Sequence, residues 1–262
     1  MAKPKVLILR APGTNCDRET AYAFERAGGL TERVHVNRLL DDTGVIDQFQ
    51  ILCVPGGFSY GDDVAAGRIL GNQIRHRLAE RFEKFKADGK LILGICNGFQ
   101  VLIKSGLLLP DDEHGPSATL TWNESGQFED RWVNLATGPS SCVFFAGIEN
   151  MYLPVAHAEG KFVTRSPAVL DDLERSGQIV LRYTTTQLAA AAEGAPLPFP
   201  ANPNGSLGNV AGICDTTGRV CGLMPHPERH IDPTQHPRWT RGEAGAEGDG
   251  LLVFQNAVGY FQ

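Results

Sequence analysis

The chain lacks several features that would narrow its function at once. Its six cysteines, Cys16, Cys53, Cys96, Cys142, Cys214 and Cys221, include no C-x-x-C pair. Zinc ribbons and thioredoxin-type redox motifs are thereby excluded. No block of Lys and Arg occurs, and 24 basic against 30 acidic residues leave a formal charge of −6. Such a chain offers no electrostatic footprint for nucleic acid. The N-terminal apolar run, Val6-Leu7-Ile8-Leu9, is four residues long. That is far too short for a signal-peptide core or a membrane span, so no membrane role is expected. No internal repeat is present. What remains is an ordinary globular composition, 42% hydrophobic and 21% charged, over 262 residues. It suffices for a sizeable core. Cys53, Cys142, Cys214 and Cys221 sit among apolar neighbours and read as small buried hydrophobes in a reduced, cytoplasmic protein.

Compact apolar runs bounded by Gly and Pro predict strands at Lys5–Leu9, Arg33–Val36, Ile51–Val54 and Leu91–Ile95. Thr14 or Asn15 is a potential cap for a helix running to Gly28-Gly29. A long amphipathic segment predicts one helix over Arg68–Ala87, and Phe99–Ser105 continues as another. Strands alternating with helices predict an α/β fold, a mostly parallel sheet with helices on both faces. Between Ala118 and Tyr183, short runs such as Val143–Phe145 and Ile179–Leu181 suggest antiparallel additions. Gln187–Gly208 reads as a loop, Val210–Cys214 and Val220–Met224 as a hairpin, and Gly250–Tyr260 as a closing helix. No boundary requires a second domain, so residues 1–262 are expected to form one.

The strongest chemical signal is Gly94-Ile95-Cys96-Asn97-Gly98 between a predicted strand and helix. This is the cysteine form of a nucleophile elbow. Side chains two before and two after the central residue would collide, which calls for glycine at both places. A thiol at a helix N-terminus meets the positive end of the dipole, and free N–H groups there can bind an oxyanion. A thiolate needs a base and a group to orient that base. Met224-Pro225-His226-Pro227-Glu228 offers both, because residues i and i+2 of an extended chain share a side. Pro55-Gly56-Gly57-Phe58-Ser59-Tyr60-Gly61 closes another strand and makes the Gly57 N–H a candidate oxyanion donor. No Gly-Lys-Ser/Thr follows it, so a phosphate loop is unsupported. In Ala156-His157-Ala158-Glu159-Gly160, His157 reads as catalytic, pocket-lining or structural. No metal is expected, since His226 and His230 flank a proline and have no third ligand. Cys16 has no glycine two residues later and is a poor elbow; helix capping accounts for its surroundings.

The elbow through Phe99-Gln100, together with Pro225-His226-Pro227-Glu228, resembles the class I glutamine amidotransferases, which have a flavodoxin-like fold. Within that class the chain is similar to the glutaminase subunits of phosphoribosylformylglycinamidine synthases. Pro12–Cys16, Gly56–Asp62, Ala156–Gly160 and Asn202–Ser206 carry this closer likeness. The resemblance implies Cys96 as nucleophile, His226 as base and Glu228 as its partner. It implies oxyanion N–H groups from Gly57 and Asn97, and help from Gln100, His157, Glu159 and Gly160 in holding glutamine. It further implies no cofactor in this chain. ATP and Mg would sit on a large synthase subunit, with a small accessory subunit alongside, in purine biosynthesis. Two segments, Gln187–Pro200 and His230–Gly248, look longer than a minimal subunit needs.

Overall fold

The computed structural model describes residues 3–185 and 196–262. The described residues form β1 (Lys5–Arg10), α1 (Asp17–Arg26), β2 (Leu30–His35), α2 (Val36–Asp41), β3 (Ile51–Val54), α3 (Arg68–Gln73), α4 (Ala79–Ala87), β4 (Leu91–Ile95) and α5 (Asn97–Ser105). Then follow β5 (Ala118–Thr121), β6 (Glu129–Thr137), β7 (Asn150–His157), β8 (Lys161–Thr164), α6 (Pro167–Arg175), β9 (Ile179–Thr184), β10 (Val210–Cys214), β11 (Val220–Leu223) and α7 (Leu251–Gly259). One sheet runs in the order β2-β1-β3-β4-β11-β10-β9-β6-β7, and β5 pairs with β8 apart from it.

The first five strands of that order are parallel and the remaining neighbours antiparallel. The expected mostly parallel core with antiparallel additions is therefore what forms. β3, β4 and β11 are buried at every residue, as strands covered on both faces must be. The chain leaves β1 toward β2 but leaves β3 toward β4 in the opposite sense. Right-handed crossovers then place α1 and α3 on opposite faces. α7 returns beside α1, where Phe24 and Phe254 meet edge to face at 4.9 Å.

Three local expectations need correction. The helix predicted over Arg68–Ala87 is interrupted by a wide π turn at Ile74–Leu78. Leu70, Ile74, Leu78 and Phe82 are buried and recur every four residues. At 3.6 residues per turn such a row drifts around the helix, and a wider turn keeps it facing the core. Val143–Phe145 is a 3-10 turn rather than a strand. Phe144 and Phe145 are both buried, and the Asn256 side chain of α7 donates to the carbonyls of Phe144 and Ala146. A strand would have sent these two rings to opposite faces. Third, neither Thr14 nor Asn15 caps α1: the cap position is Cys16, with no side-chain capping bond, and the Thr14 hydroxyl accepts from the Ala11 N–H instead. The Val210–Met224 hairpin forms as expected, with Gly212 opposite Leu223. Of the expected Gln187–Gly208 loop, residues 187–195 lie outside the described residues. No described helix is long and apolar enough to cross a membrane.

Candidate active site

The candidate residues gather at the C-terminal edge of the parallel strands. β4 is flanked by β3 and β11, so the segments following all three strands meet there. Cys96 joins β4 to α5 with φ 51° and ψ −106°. A non-glycine residue in such a region costs about 1–3 kcal/mol and must be held by its surroundings. The neighbouring glycines explain how it is held. A Cβ on Gly98 would lie 1.8 Å from the Val54 carbonyl oxygen, and one on Gly94 would lie 2.6 Å from that of Gly98. The elbow thus packs directly on β3, and the Cys96 N–H donates to the Leu223 carbonyl of β11 at 2.7 Å.

His226 and Glu228 follow β11. The His226 N–H donates to the Pro154 carbonyl at 2.9 Å, and the ring Nδ1 meets Glu228 Oε1 at 2.7 Å. The pair forms as anticipated but by a different route, since Pro227–Arg229 is a 3-10 turn and not extended chain. Both side chains are almost wholly buried, and His226 Nε2 and Glu228 Oε2 have no protein partner among the described residues. Burial opposes an imidazolium here. The Glu228 carboxylate and the Cys96 sulfur outweigh it and hold the His226 pKa well above its ordinary value. A protonated imidazole is the state this arrangement favours at His226.

Cys96, His226 and Gly57 line one cavity of about 230 Å³, with Asn15, Cys16, Phe58, Phe128, Asp130, Ala156 and Arg229. Larger hollows of about 620 and 650 Å³ lie elsewhere, but neither brings a nucleophile to a base. Gly57 has φ 138°, which a side chain would resist. Neither the Gly57 nor the Asn97 N–H donates to a protein oxygen among the described residues. Both are free for an incoming anion.

The other anticipated residues stand behind this cavity rather than on its lining. Gln100 Nε2 donates to the Glu159 carbonyl at 2.6 Å, and Glu159 Oε1 accepts from the Ala66 N–H at 3.1 Å. His157 is buried with Nδ1 3.0 Å from Asn123 Oδ1, and a Cβ on Gly160 would strike its ring. Burial, and then the charge of His226, lower the His157 pKa to about 3.

Residue patterns alone did not point to Cys16 and Arg229. Arg229 Nη2 donates to Cys16 Sγ at 3.2 Å while its Nε donates to Glu19 Oε1 at 2.9 Å. Cys16, His226 and Glu228 bring donor atoms within 4.8 Å of one another, a set of three that could hold a metal ion. Two of these donors already bond each other, and the third faces a guanidinium. Apart from the family likeness of Pro12–Cys16, the sequence signal for Cys16 was the Pro12-Gly13 break after β1, a strand adjacent to β3 in the sheet.

A cysteine elbow on a parallel sheet, with a His–Glu pair from the adjacent strand, is an arrangement suited to hydrolysis at a carbonyl, as in the glutamine amidotransferases. In agreement, residues 3–261 match the family model described as the CobB/CobQ-like glutamine amidotransferase domain. The chain is 51% identical to the phosphoribosylformylglycinamidine synthase subunit PurQ of Dehalococcoides mccartyi, over 98% of each chain. It is 40% identical to the subunit of the same name from Methanococcus maripaludis strain S2, over 98% of this chain and 97% of the relative. Among solved structures, PurLQS from Thermotoga maritima superimposes with a TM-score of 0.74 at 32% identity, covering all of both chains. A putative GMP synthase subunit from Thermoplasma acidophilum, 14% identical with a TM-score of 0.57, shares the fold. The chain belongs to the PurQ family of phosphoribosylformylglycinamidine synthase subunits.

Proposed function

We propose that this chain is the glutaminase subunit of phosphoribosylformylglycinamidine synthase, working as a single glutamine amidotransferase domain. The observation that carries the reading is the convergence of Cys96, His226 and Gly57 on one cavity, with Glu228 bonded to His226 behind it. The Cys96 thiolate attacks the side-chain carbonyl carbon of glutamine. The Gly57 and Asn97 N–H groups hold the oxyanion that forms. Imidazolium His226 gives its proton to the departing nitrogen, which leaves as ammonia. Neutral His226 then takes a proton from water as that water attacks the γ-glutamyl thioester, releasing glutamate and restoring the thiolate. Glu228 keeps the ring oriented and favours its charged form. Gln100, His157, Glu159 and Gly160 support glutamine binding by fixing the wall behind the cavity.

The ammonia passes to a large synthase subunit carrying ATP and Mg, with a small accessory subunit in the assembly. There it converts formylglycinamide ribonucleotide to the amidine in purine biosynthesis, in the cytoplasm. No cofactor is assigned to this chain. The test is Cys96→Ala in the assembled synthase. Glutamine-dependent product formation should vanish while synthesis from ammonium chloride persists. Unchanged glutamine-dependent turnover would sink the proposal.

A further inference from the structure

The segment 58–67, which follows Gly57, contains a run of unfavourable backbone. Tyr60, Asp62 and Val64 have φ of 57°, 55° and 72°, and Val64 is β-branched and 85% exposed. Non-glycine residues rarely occupy this region, and each costs about 1–3 kcal/mol. The segment keeps its shape because it is tied to α5 and to the chain after β7 at two points. At the first, Asn97 Oδ1 accepts from the Ser59 N–H at 3.1 Å. Its Nδ2 donates to Asp62 Oδ1 at 3.0 Å and to Gln100 Oε1 at 2.9 Å. At the second, Glu159 accepts from the Ala66 N–H, and its other oxygen lies 3.7 Å from Lys104 Nζ.

We propose that Asp62 is a positioning residue for the oxyanion site. An amide has two N–H donors and one carbonyl. Asp62 and Gln100 take both donors of Asn97, so the carbonyl is left to face Ser59. That fixes the amide's orientation, and through it the distance between the elbow and the segment that begins at Gly57. The two N–H groups assigned to the oxyanion belong to the two ends of this tie. A charged acceptor makes the Asn97–Asp62 bond stronger than a neutral one. Burial and the neighbouring Glu159 raise the Asp62 pKa to about 6, against hydrogen bonds from the Gly67 N–H and the Asn97 amide and the charge of Lys104, so the carboxylate is mostly ionised at neutral pH. Asp62 touches no reacting atom in this scheme. It acts through Asn97.

The inference rests on the glutaminase reading, and its test separates the two. In the assembled synthase, Asp62→Ala should lower glutamine-dependent kcat about 10- to 100-fold, below the 10²–10³ measured for outright loss of an oxyanion donor. KM for glutamine should change less than about threefold, as for an interaction made mainly in the transition state. Alkylation of Cys96 by iodoacetamide, followed by peptide mass spectrometry, should proceed at the wild-type rate because it needs the thiolate but no oxyanion site. Asp62→Asn keeps an acceptor oxygen and should recover most of the lost rate. Asp62→Ser carries the same expectation as alanine if the alanine variant fails to fold. Ammonium-dependent synthesis reports that each complex has assembled. Wild-type kcat in Asp62→Ala, alkylation falling in step with turnover, or Asp62→Asn no better than Asp62→Ala would each overturn the proposal. Failure of Cys96→Ala to abolish glutamine use would instead refute the glutaminase reading, whatever Asp62 does.

Discussion

Glu228→Gln is the substitution that most directly probes the resting charge state of the site. Glu228 Oε1 lies 2.7 Å from His226 Nδ1, and neither side chain is open to solvent. The charge centres of such a pair are about 4 Å apart, and at an effective dielectric of about 20 they attract by about 4 kcal/mol. Glutamine keeps an acceptor oxygen, so part of the contact survives. A loss of about 2–4 kcal/mol in imidazolium stabilisation corresponds to a fall of about 30- to 1000-fold in glutaminase kcat. Folding stability should barely move. His226 can shed its proton once the carboxylate is gone, so no charge is stranded. The partnerless Glu228 Oε2 also no longer imposes the desolvation cost of a buried anion. With the His226 pKa lowered, the imidazolium that protonates the departing nitrogen disappears at lower pH, and the alkaline limb of the kcat profile moves down. Glutamate release across pH, urea unfolding and the ultraviolet absorbance of the thiolate test each part. Turnover within about threefold of wild type, or a loss explained by unfolding, would refute the assigned role.

Two further outcomes follow from packing and burial. Gly98→Ala places a carbon 1.8 Å from the Val54 carbonyl, which only a shift of β3 or the elbow relieves. The variant should lose about 3 kcal/mol or more of stability and its activity with it; urea unfolding with a wild-type midpoint would contradict the packing argument. His157, held neutral with a pKa of about 3, accepts a proton far more readily in the unfolded chain, near ~6.5. Stability associated with it is present above ~6.5 and is lost as pH falls toward 3, by about 2 kcal/mol between pH 6.5 and 5. His157→Gln should flatten that slope in denaturant titrations run across this range; an unaltered slope would mean the histidine titrates normally.

How much of this was readable from residue types depended on how local the cause was. β1, β3, β4 and β11 announced themselves as apolar runs closed by Gly or Pro, because a strand buried on both faces needs nothing more. Gly94 marked the elbow for a similar reason, since the clash it avoids, with the Gly98 carbonyl, is local; Gly98 instead makes room for the Val54 carbonyl of β3, a tertiary contact that the motif alone does not reveal. Val143–Phe145 looked like a strand because nothing in it says that α7 lies over both rings. The π turn at Ile74–Leu78 depends on matching a four-residue repeat to the core, which is a tertiary demand overriding a local preference. Cys16 was obscure because its importance comes from strand order. Only when β1 lies beside β3, and β4 beside β11, do residues 16, 57, 96 and 229 become neighbours. Sequence separation of this size carries no periodic signal.

The resting charge state also bears on where control of such a reaction lies. Ammonia released before a partner is ready is wasted, so a glutaminase serving a second active site must be held back. The nucleophile is a poor place for that restraint in this chain. The Glu228 charge and the Cys96 sulfur already favour an imidazolium at His226, and Cys96 sits buried in an elbow that Gly98 allows to pack against β3. Shifting it would mean unpacking the core. The segment after Gly57 has the opposite character. It contains three strained residues, is exposed at Val64, and is kept in place by side-chain bonds to Asn97, Glu159, Gln73 and Lys104 and by backbone bonds to Pro12 and Gly13. Breaking one such bond costs about 0.5–1.5 kcal/mol for a neutral pair and more for a charged one, offset by release of backbone strain. Of the two halves of the site, the oxyanion half is therefore the one a docking partner could switch at the smaller energetic cost.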